Sequence, residues 1–328
     1  MLLVKISAKT PSYLPLRRLE QNHLAKQLRR KMATSALFKY IEPGSYDPKA
    51  TEPFKKPWSK VDVSAYSYGL TERRRTVNSL RGHQSEFSLD NAGFAVFKAP
   101  ANEKLFLDKT QVTTGYYSEV EELLRQRLPG VKKVVIFDYT IRRRLPGSPR
   151  EPVQLVHVDQ TPRAAEIRVR RHVPPEEAEE LLKGRYQIVN VWRPIEYPAS
   201  DHPLGMIDWR TTDPSDFVKT DLLYPVNHAQ IGDVAPDPSS LQSTEGYEVK
   251  GETYNVAPNE KHHFYYVKDM EPDEVILLKC FDSSSHTMTN GRTSIAHGTP
   301  HTAFSDPQTP PDAPGRQSIE VRCLVFYE

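Results

Sequence analysis

The stretch VQLVHVDQTP, residues 153–162, sets a histidine and an aspartate two positions apart inside an apolar, strand-like run. Strand side chains alternate faces, so Leu155, His157 and Asp159 share one face and Val156 and Val158 the other. An imidazole and a carboxylate turned into a barrel interior need partners, because burying them unpaired is costly. A metal ion is one candidate partner; a hydrogen-bonded pair on a half-exposed strand is the plainer alternative. Two ligands hold a metal poorly. The sequence offers a third in SIAHGTPHTAFSDP, as either His297 or His301. Two imidazoles and one carboxylate take one face of an octahedral Fe(II) and leave the other positions open for a cosubstrate and O2. No set of thiolate ligands is evident, which argues against a structural zinc site.

A cosubstrate that chelates iron through a 2-oxo acid end needs a cation at its far carboxylate. In RQSIEVRCLVFY the residues Arg316, Ser318, Glu320 and Arg322 alternate with Ile319, Val321, Cys323 and Val325. Arg316 and, two residues on, the Ser318 hydroxyl suit one carboxylate. Arg322 on the same face competes for that role. Arg193, in IVNVWRPI, shares a face with Val189 and Val191, and a buried arginine requires an anion. That anion is either a substrate or cosubstrate carboxylate or an internal acid. Tyr265 and Lys279 lie in runs that can line a pocket, or can be a core aromatic and a snorkelling lysine. The run Arg142–Arg144 reads as a solvated strand end or a gate for an acidic substrate.

The elements that must position these residues are mostly strands. VVIFDYTIRR, YQIVNVWRPIEYP, KTDLLYPVN, KHHFYYVKDM, EVILLKCFDS and RQSIEVRCLVFYE are rich in β-branched and aromatic residues, and FSLDNAGFAVFKAP suggests one more strand near Gly93. Two helices are predicted, SEVEELLRQRL at 118–128 and VPPEEAEELLKG at 173–184, each with acids in its first turn. Many strands and few helices point to a mainly β, jelly-roll core with flanking helices. The 28 prolines favour irregular connections. Residues 40–75, rich in Pro, Lys and Tyr, read as an extended arm. Residues 1–32 read as a basic, flexible extension and 33–328 as one domain, with the arm and first helix over 33–130 and the barrel over 131–328.

Charge nearly cancels, 44 Lys and Arg against 42 Asp and Glu, so no global field argues for nucleic acid. No apolar run is long enough for a membrane span, and a cytoplasmic location with a small-molecule substrate is expected. Cys280 and Cys323 read as reduced core residues. Oligomeric state is left open.

Taken together, H157-x-D159, His301 and R316-x-S318 resemble the Fe(II)/2-oxoglutarate-dependent oxygenases. The segments GHQSEFSLDNAGF, YYSEVEELL, VVIFDYTIRR, VHVDQTP, IVNVWRPI, DEVILLKCFDS, PHTAFSDP and RQSIEVRCLVFYE are similar in order to the fungal hydroxylase/desaturase group named after aspergillic-acid biosynthesis, itself similar to a cephamycin methoxylation subunit. The resemblance covers about residues 35–328. It implies a double-stranded β-helix (cupin-like) core, and Fe(II), 2-oxoglutarate and O2 as cofactors. It implies His157, Asp159 and His301, rather than His297, as iron ligands, and Arg316 with Ser318 as the cosubstrate anchor. Members of the group often carry an acid after that arginine, where this chain has Gln317. The implied reaction is hydroxylation, desaturation or ring closure at an unactivated C–H bond of a small secondary metabolite or amino-acid-derived compound. Two other readings use the same barrel: a metal-dependent hydrolase or isomerase, and a ligand-binding accessory protein without turnover.

Overall fold

The computed structural model describes residues 32–144, 152–226, 241–285 and 295–328. Two sheets face one another. The larger has nine strands, β1 (Thr34–Ile41), β2 (Trp58–Lys60), β3 (Leu70–Ser79), β6 (His157–Val158), β8 (Leu204–Ile207), β9 (Phe217–Pro225), β10 (Tyr247–Val256), β11 (Phe264–Tyr266) and β13 (His301–Ala303), in the order β1-β3-β11-β8-β13-β6-β10-β9-β2. The smaller has β4 (Phe94–Lys98), β12 (Glu274–Asp282), β7 (Tyr186–Pro194), β14 (Gln317–Tyr327) and β5 (Val131–Arg143), in that order across the sheet. The fold is the mainly β jelly roll that the strand-rich sequence predicts.

Strand β7 explains how the smaller sheet is built. Every residue of YQIVNVWRP is buried, because both faces of the strand are covered. On the outer face Val189 and Val191, with Val321 and Val325 of β14, pack on helix α1 (Tyr117–Arg127) through Val120, Leu123 and Leu124. That i, i+3, i+4 spacing is the apolar stripe of an amphipathic helix. On the inner face Ile188, Leu324 and Phe326 pack on helices α2 (Pro162–His172) and α3 (Pro175–Leu181). Further along, Trp192, Ile276 and Leu278 meet Leu204 and Met206 of the larger sheet. Between these two apolar zones, Asn190, Glu320 and Arg322 face the interior, and the site sits there.

Helix α2 was not foreseen; only 173–184 was expected to be helical in this region. Its start is nonetheless written in the chain. Thr161 caps it, accepting from the Ala164 amide at 3.2 Å, and Pro162 supplies the first-turn dihedral. Ala165 and Val169 are buried against the β7 and β14 inner face, and burial of a valine is worth about 1.5–3 kcal/mol. Pro174 then separates α2 from α3.

The segment read as an extended arm, 40–75, is also more regular than expected. Strands β1 and β3 pair antiparallel from Thr34↔Val77 to Ile41↔Leu70. Phe38 of β1 stacks on Phe264 with ring centroids 4.0 Å apart. The run LTERRRTVNS conceals a strand because none of its first seven residues is buried. The basic extension at 1–32 lies outside the described residues except for Met32. Both cysteines are buried and unbridged, as expected.

Candidate metal centre

Strands β6 and β13 lie side by side, and their register sets His301 directly against His157. The two imidazoles, with ring centroids 4.5 Å apart, project to the same face. Asp159 follows β6 immediately. Its Oδ1 lies 3.2 Å from His157 Nε2 and 3.9 Å from His301 Nε2. The three ligand atoms fall within 4.8 Å of one another, which makes the trio suited to a metal ion. Their orientation is fixed from behind. His157 Nδ1 bonds the Leu155 carbonyl at 2.7 Å, and His301 Nδ1 bonds the Thr299 carbonyl at 2.9 Å. With Nδ1–H donated to a carbonyl, Nε2 presents its lone pair to the centre. Asn190 donates to Asp159 Oδ2 at 2.7 Å, which turns Oδ1 toward the histidines.

The segment carrying His301 is threaded between strands. The Ala296 amide donates to the Asp90 carbonyl at 2.7 Å, and Thr299 N to the Lys279 carbonyl at 2.7 Å; Thr299 Oγ1 donates to the Gly93 carbonyl. A Cβ at Gly298 would come within 2.8 Å of Val158 Cγ1 and 3.1 Å of the Cys280 carbonyl. Glycine there permits the close approach that delivers His301.

Electrostatics favour a cation in the centre. Burial alone would raise the Asp159 carboxyl, but His157, His301 and Arg322 hold it well below the usual carboxylate range. Burial disfavours protonation of His157, yet the hydrogen bond and charge of Asp159 raise its pKa. Burial, with His157 beside it, lowers the pKa of His301.

A cleft opens beside this trio, walled by Trp192, Arg316, Ser318, Glu320 and Arg322. Arg316 is 3% exposed. Its Nη1 donates to the His202 carbonyl at 2.8 Å, and its guanidinium carbon sits 5.7 Å from the centre of the Trp192 ring. Its Nε makes no hydrogen bond among the described residues. Burial, reinforced by Arg142, pushes its pKa down to about 9, the mark of a buried cation short of negative charge. Arg322 is the opposite case. It reaches Asp138 at 3.1 Å, Thr140 at 2.8 Å and Glu320 at 2.5 Å. Burial would lower its pKa, but these carboxylates and Asp159 raise it. The donor set therefore fits Fe(II), and the buried, under-neutralised Arg316 with Ser318 fits a carboxylate.

Three expected residues are placed elsewhere. Arg193 lies on the outer face of β7; its Nε donates to the Tyr116 hydroxyl at 2.8 Å and its Nη1 to the Ala99 carbonyl at 2.9 Å. Tyr116 closes a π-helical turn, Val112–Tyr116, just before α1. The anion expected for Arg193 is replaced by a phenol and carbonyl oxygens, away from the cleft. Lys279 is also on the outer face, paired with Asp282 at 2.6 Å and Asp90 at 2.9 Å. Tyr265 packs on Phe87 and Phe94, ring centroids 4.7 and 6.3 Å away. His297 does not join the trio. It is buried against Tyr254 and Phe281, with neither ring nitrogen hydrogen-bonded among the described residues. Of the 142–144 run, Arg142 lines the cleft, while Arg144 binds Asp201 at 3.0 Å. Sequence reasoning missed Asn190, whose position opposite Arg322 in the β7–β14 register is invisible without the pairing.

Comparison with known proteins agrees with this geometry. A family model described as an oxidoreductase/YMDC permease-like domain matches residues 38–326. The hydroxylase/desaturase efuI of Hormonema carpetanum is 33% identical over 268 residues, spanning 77% of this chain and 83% of that protein. The hydroxylase/desaturase poxK of Penicillium oxalicum is 31% identical over 267 residues, 77% of this chain and 79% of that protein. The solved iron and alpha-ketoglutarate-dependent endoperoxidase NvfI superposes with a TM-score of 0.72 at 24% identity, covering 90% of this chain and 98% of that one. By sequence match along nearly its whole described length, the chain belongs to the hydroxylase/desaturase family of Fe(II)/2-oxoglutarate-dependent oxygenases.

Proposed function

We propose that this oxygenase binds Fe(II) through His157, Asp159 and His301, anchors 2-oxoglutarate on Arg316 and Ser318, and oxidises an unactivated C–H bond of a small secondary metabolite. The observation that carries the reading is the juxtaposition of a two-His-one-carboxylate trio with a buried cation short of an anion. Iron and 2-oxoglutarate together would supply the oxidising power, by activating O2 with conversion of the cosubstrate to succinate and CO2. The chain's own residues supply position and polarity. The Leu155 and Thr299 carbonyls hold both imidazoles in the ligating tautomer. Asn190 fixes the carboxylate. The apolar zones on either side exclude water from the reacting centre. Whether the product is hydroxylated, desaturated or cyclised depends on where a carbon rests relative to the iron. Reduced, buried Cys280 and Cys323 support a cytoplasmic setting, and near-neutral charge supports a small molecule over nucleic acid.

The test is anaerobic calorimetry of Fe(II) and then 2-oxoglutarate, followed by succinate detection on admitting O2. One iron per chain, iron-dependent 2-oxoglutarate binding and O2-dependent succinate are expected. Metal binding without any succinate, under O2 and across a panel of candidate substrates, overturns the reading in favour of a non-oxidative barrel.

A further inference from the structure

Asp159 walls two depressions. One is the cleft of Arg316 and Ser318. The other runs between helix α2 and strands β9 and β10, over Arg163, Ile167, Arg168 and Arg171 on one side and Leu222 and Val249 on the other. The α2 residues come at i, i+4, i+5 and i+8, so they form one stripe along the helix. Ile167 is 37% exposed on that stripe, an apolar side chain left open beside three guanidinium groups.

The charges along this groove are unevenly matched. Arg170, on the flank of the same helix, binds Glu166 at 3.1 Å and Glu179 at 2.8 Å. Arg163, Arg168 and Arg171 bind no carboxylate among the described residues. Arg168 sits over the Phe137 ring, its guanidinium carbon 5.6 Å from the ring centre, a contact that holds it without neutralising it. The carboxylates on the groove floor, Asp221 and Glu252, share buried Lys56, whose Nζ lies 2.5 Å from each, and Thr161 donates to Glu252 at 2.5 Å, so the floor keeps one negative charge against three arginines on the rim. Lys250 is spent on Glu248 at 2.6 Å. Ala164, Ile167, Leu222 and Val249 supply the apolar part of the surface, with three arginines unpaired among the described residues along one rim and a wall, Asp159, in common with the metal centre.

We propose that this groove is the substrate subsite, and that the substrate is an apolar molecule bearing a carboxylate. The carboxylate rests on the Arg163–Arg168–Arg171 stripe and the apolar body lies over Ile167, Leu222 and Val249 toward Asp159. The assignment rests on the oxygenase reading above for its meaning as a substrate site. The stripe is separate from the cosubstrate cation, so the two acids, substrate and 2-oxoglutarate, do not compete for one arginine.

The test uses protein loaded with Mn(II) in place of iron and saturated with 2-oxoglutarate, probed with 1-naphthoate and its neutral counterpart 1-naphthamide. The charged probe is expected to bind roughly tenfold tighter, the scale of one charge-assisted hydrogen bond, with a preference that shrinks as salt is raised. Its ring protons should relax faster through the Mn(II). In the variant R163Q/R168Q/R171Q the preference should fall to about twofold or less, with thermal midpoint and 2-oxoglutarate affinity unchanged. R168Q alone should remove about half of it, in logarithmic terms, should the triple variant be unstable. Control R170Q should retain it. Equal binding of the two probes by the parent, or an undiminished preference in these variants, overturns the proposal. If Mn(II) fails to bind while the preference persists and follows the arginines, the groove stands as an acid site and the oxygenase reading falls.

Discussion

Two arginines that share the inner face of the C-terminal segment, Arg316 just before β14 and Arg322 midway along it, stand in contrasting circumstances. Arg322 sits among Asp138, Glu320 and Thr140, and its charge is used where it stands. Arg316, six residues earlier on the same face, has one carbonyl, one aromatic ring and an unbonded Nε. A sequence pattern presents them as rivals of equal chemistry. What separates them is the neighbouring strand: β5 sets Asp138 opposite Arg322 and sets Arg142 opposite Ser318. One guanidinium is structural cement; the other, buried and short of an acid, is the one proposed to take the cosubstrate's carboxylate.

Removing the proposed metal ligands is the most drastic way to break this contrast, since it deletes the centre whose cleft both arginines line. H157A, D159A and H301A should each abolish Fe(II) binding in calorimetry and succinate formation in turnover; full activity in any one contradicts the assignment. Next come the arginines themselves. R316A should raise the 2-oxoglutarate KM by about 30- to 100-fold, as expected for two charge-assisted hydrogen bonds, with iron affinity intact. R322A should act mainly on stability, lowering it by about 3 kcal/mol because Glu320 is left unpaired, with KM changed by less than about fivefold. Reversed results would exchange the two roles.

A smaller effect concerns pH. Iron binding requires neutral imidazoles, and His157 has a pKa raised above 6.5. A proton bound more tightly must be displaced by the metal, so affinity is full above that raised pKa and is lost as pH falls through it. Below it, Fe(II) affinity should weaken by about tenfold per pH unit; a profile flat down to pH 5 would contradict the ligation. Asp159, held low, stays ionised over that range. The least effect is expected at His297. H297F should leave iron affinity unchanged and the midpoint equal or higher, because it replaces two unbonded buried nitrogens with an apolar ring. Loss of iron binding there would restore His297 as the ligand.

Much of the centre was legible in the chain. The HxD spacing is a period-two signal, and Ser318 opens the last strand with Arg316 just before it. The fold class followed from strand-rich composition. What escaped had physical reasons. Helix α2 follows directly on the HxD strand, and its apolar stripe is narrow, only Ala164, Ala165 and Val169 being buried. Strand β3 is exposed and charged. Arg193 obeyed the rule that a buried cation needs satisfying, but the π-helical turn brought a phenol that no strand pattern foretells. Which face of β7 points inward depends on what covers it, and α1, which covers the other face, is remote in sequence.

The cross-strand apposition of His157 with His301 has a bearing on how such proteins diversify. Lengthening or trimming a connecting loop leaves both imidazoles where they are, whereas a single-residue insertion within β6 or β13 would rotate one of them to the far side of the sheet. Lineages of this architecture can therefore trade loops and reshape the guest chamber, while a one-residue indel inside either of two very short strands takes an imidazole away from the centre.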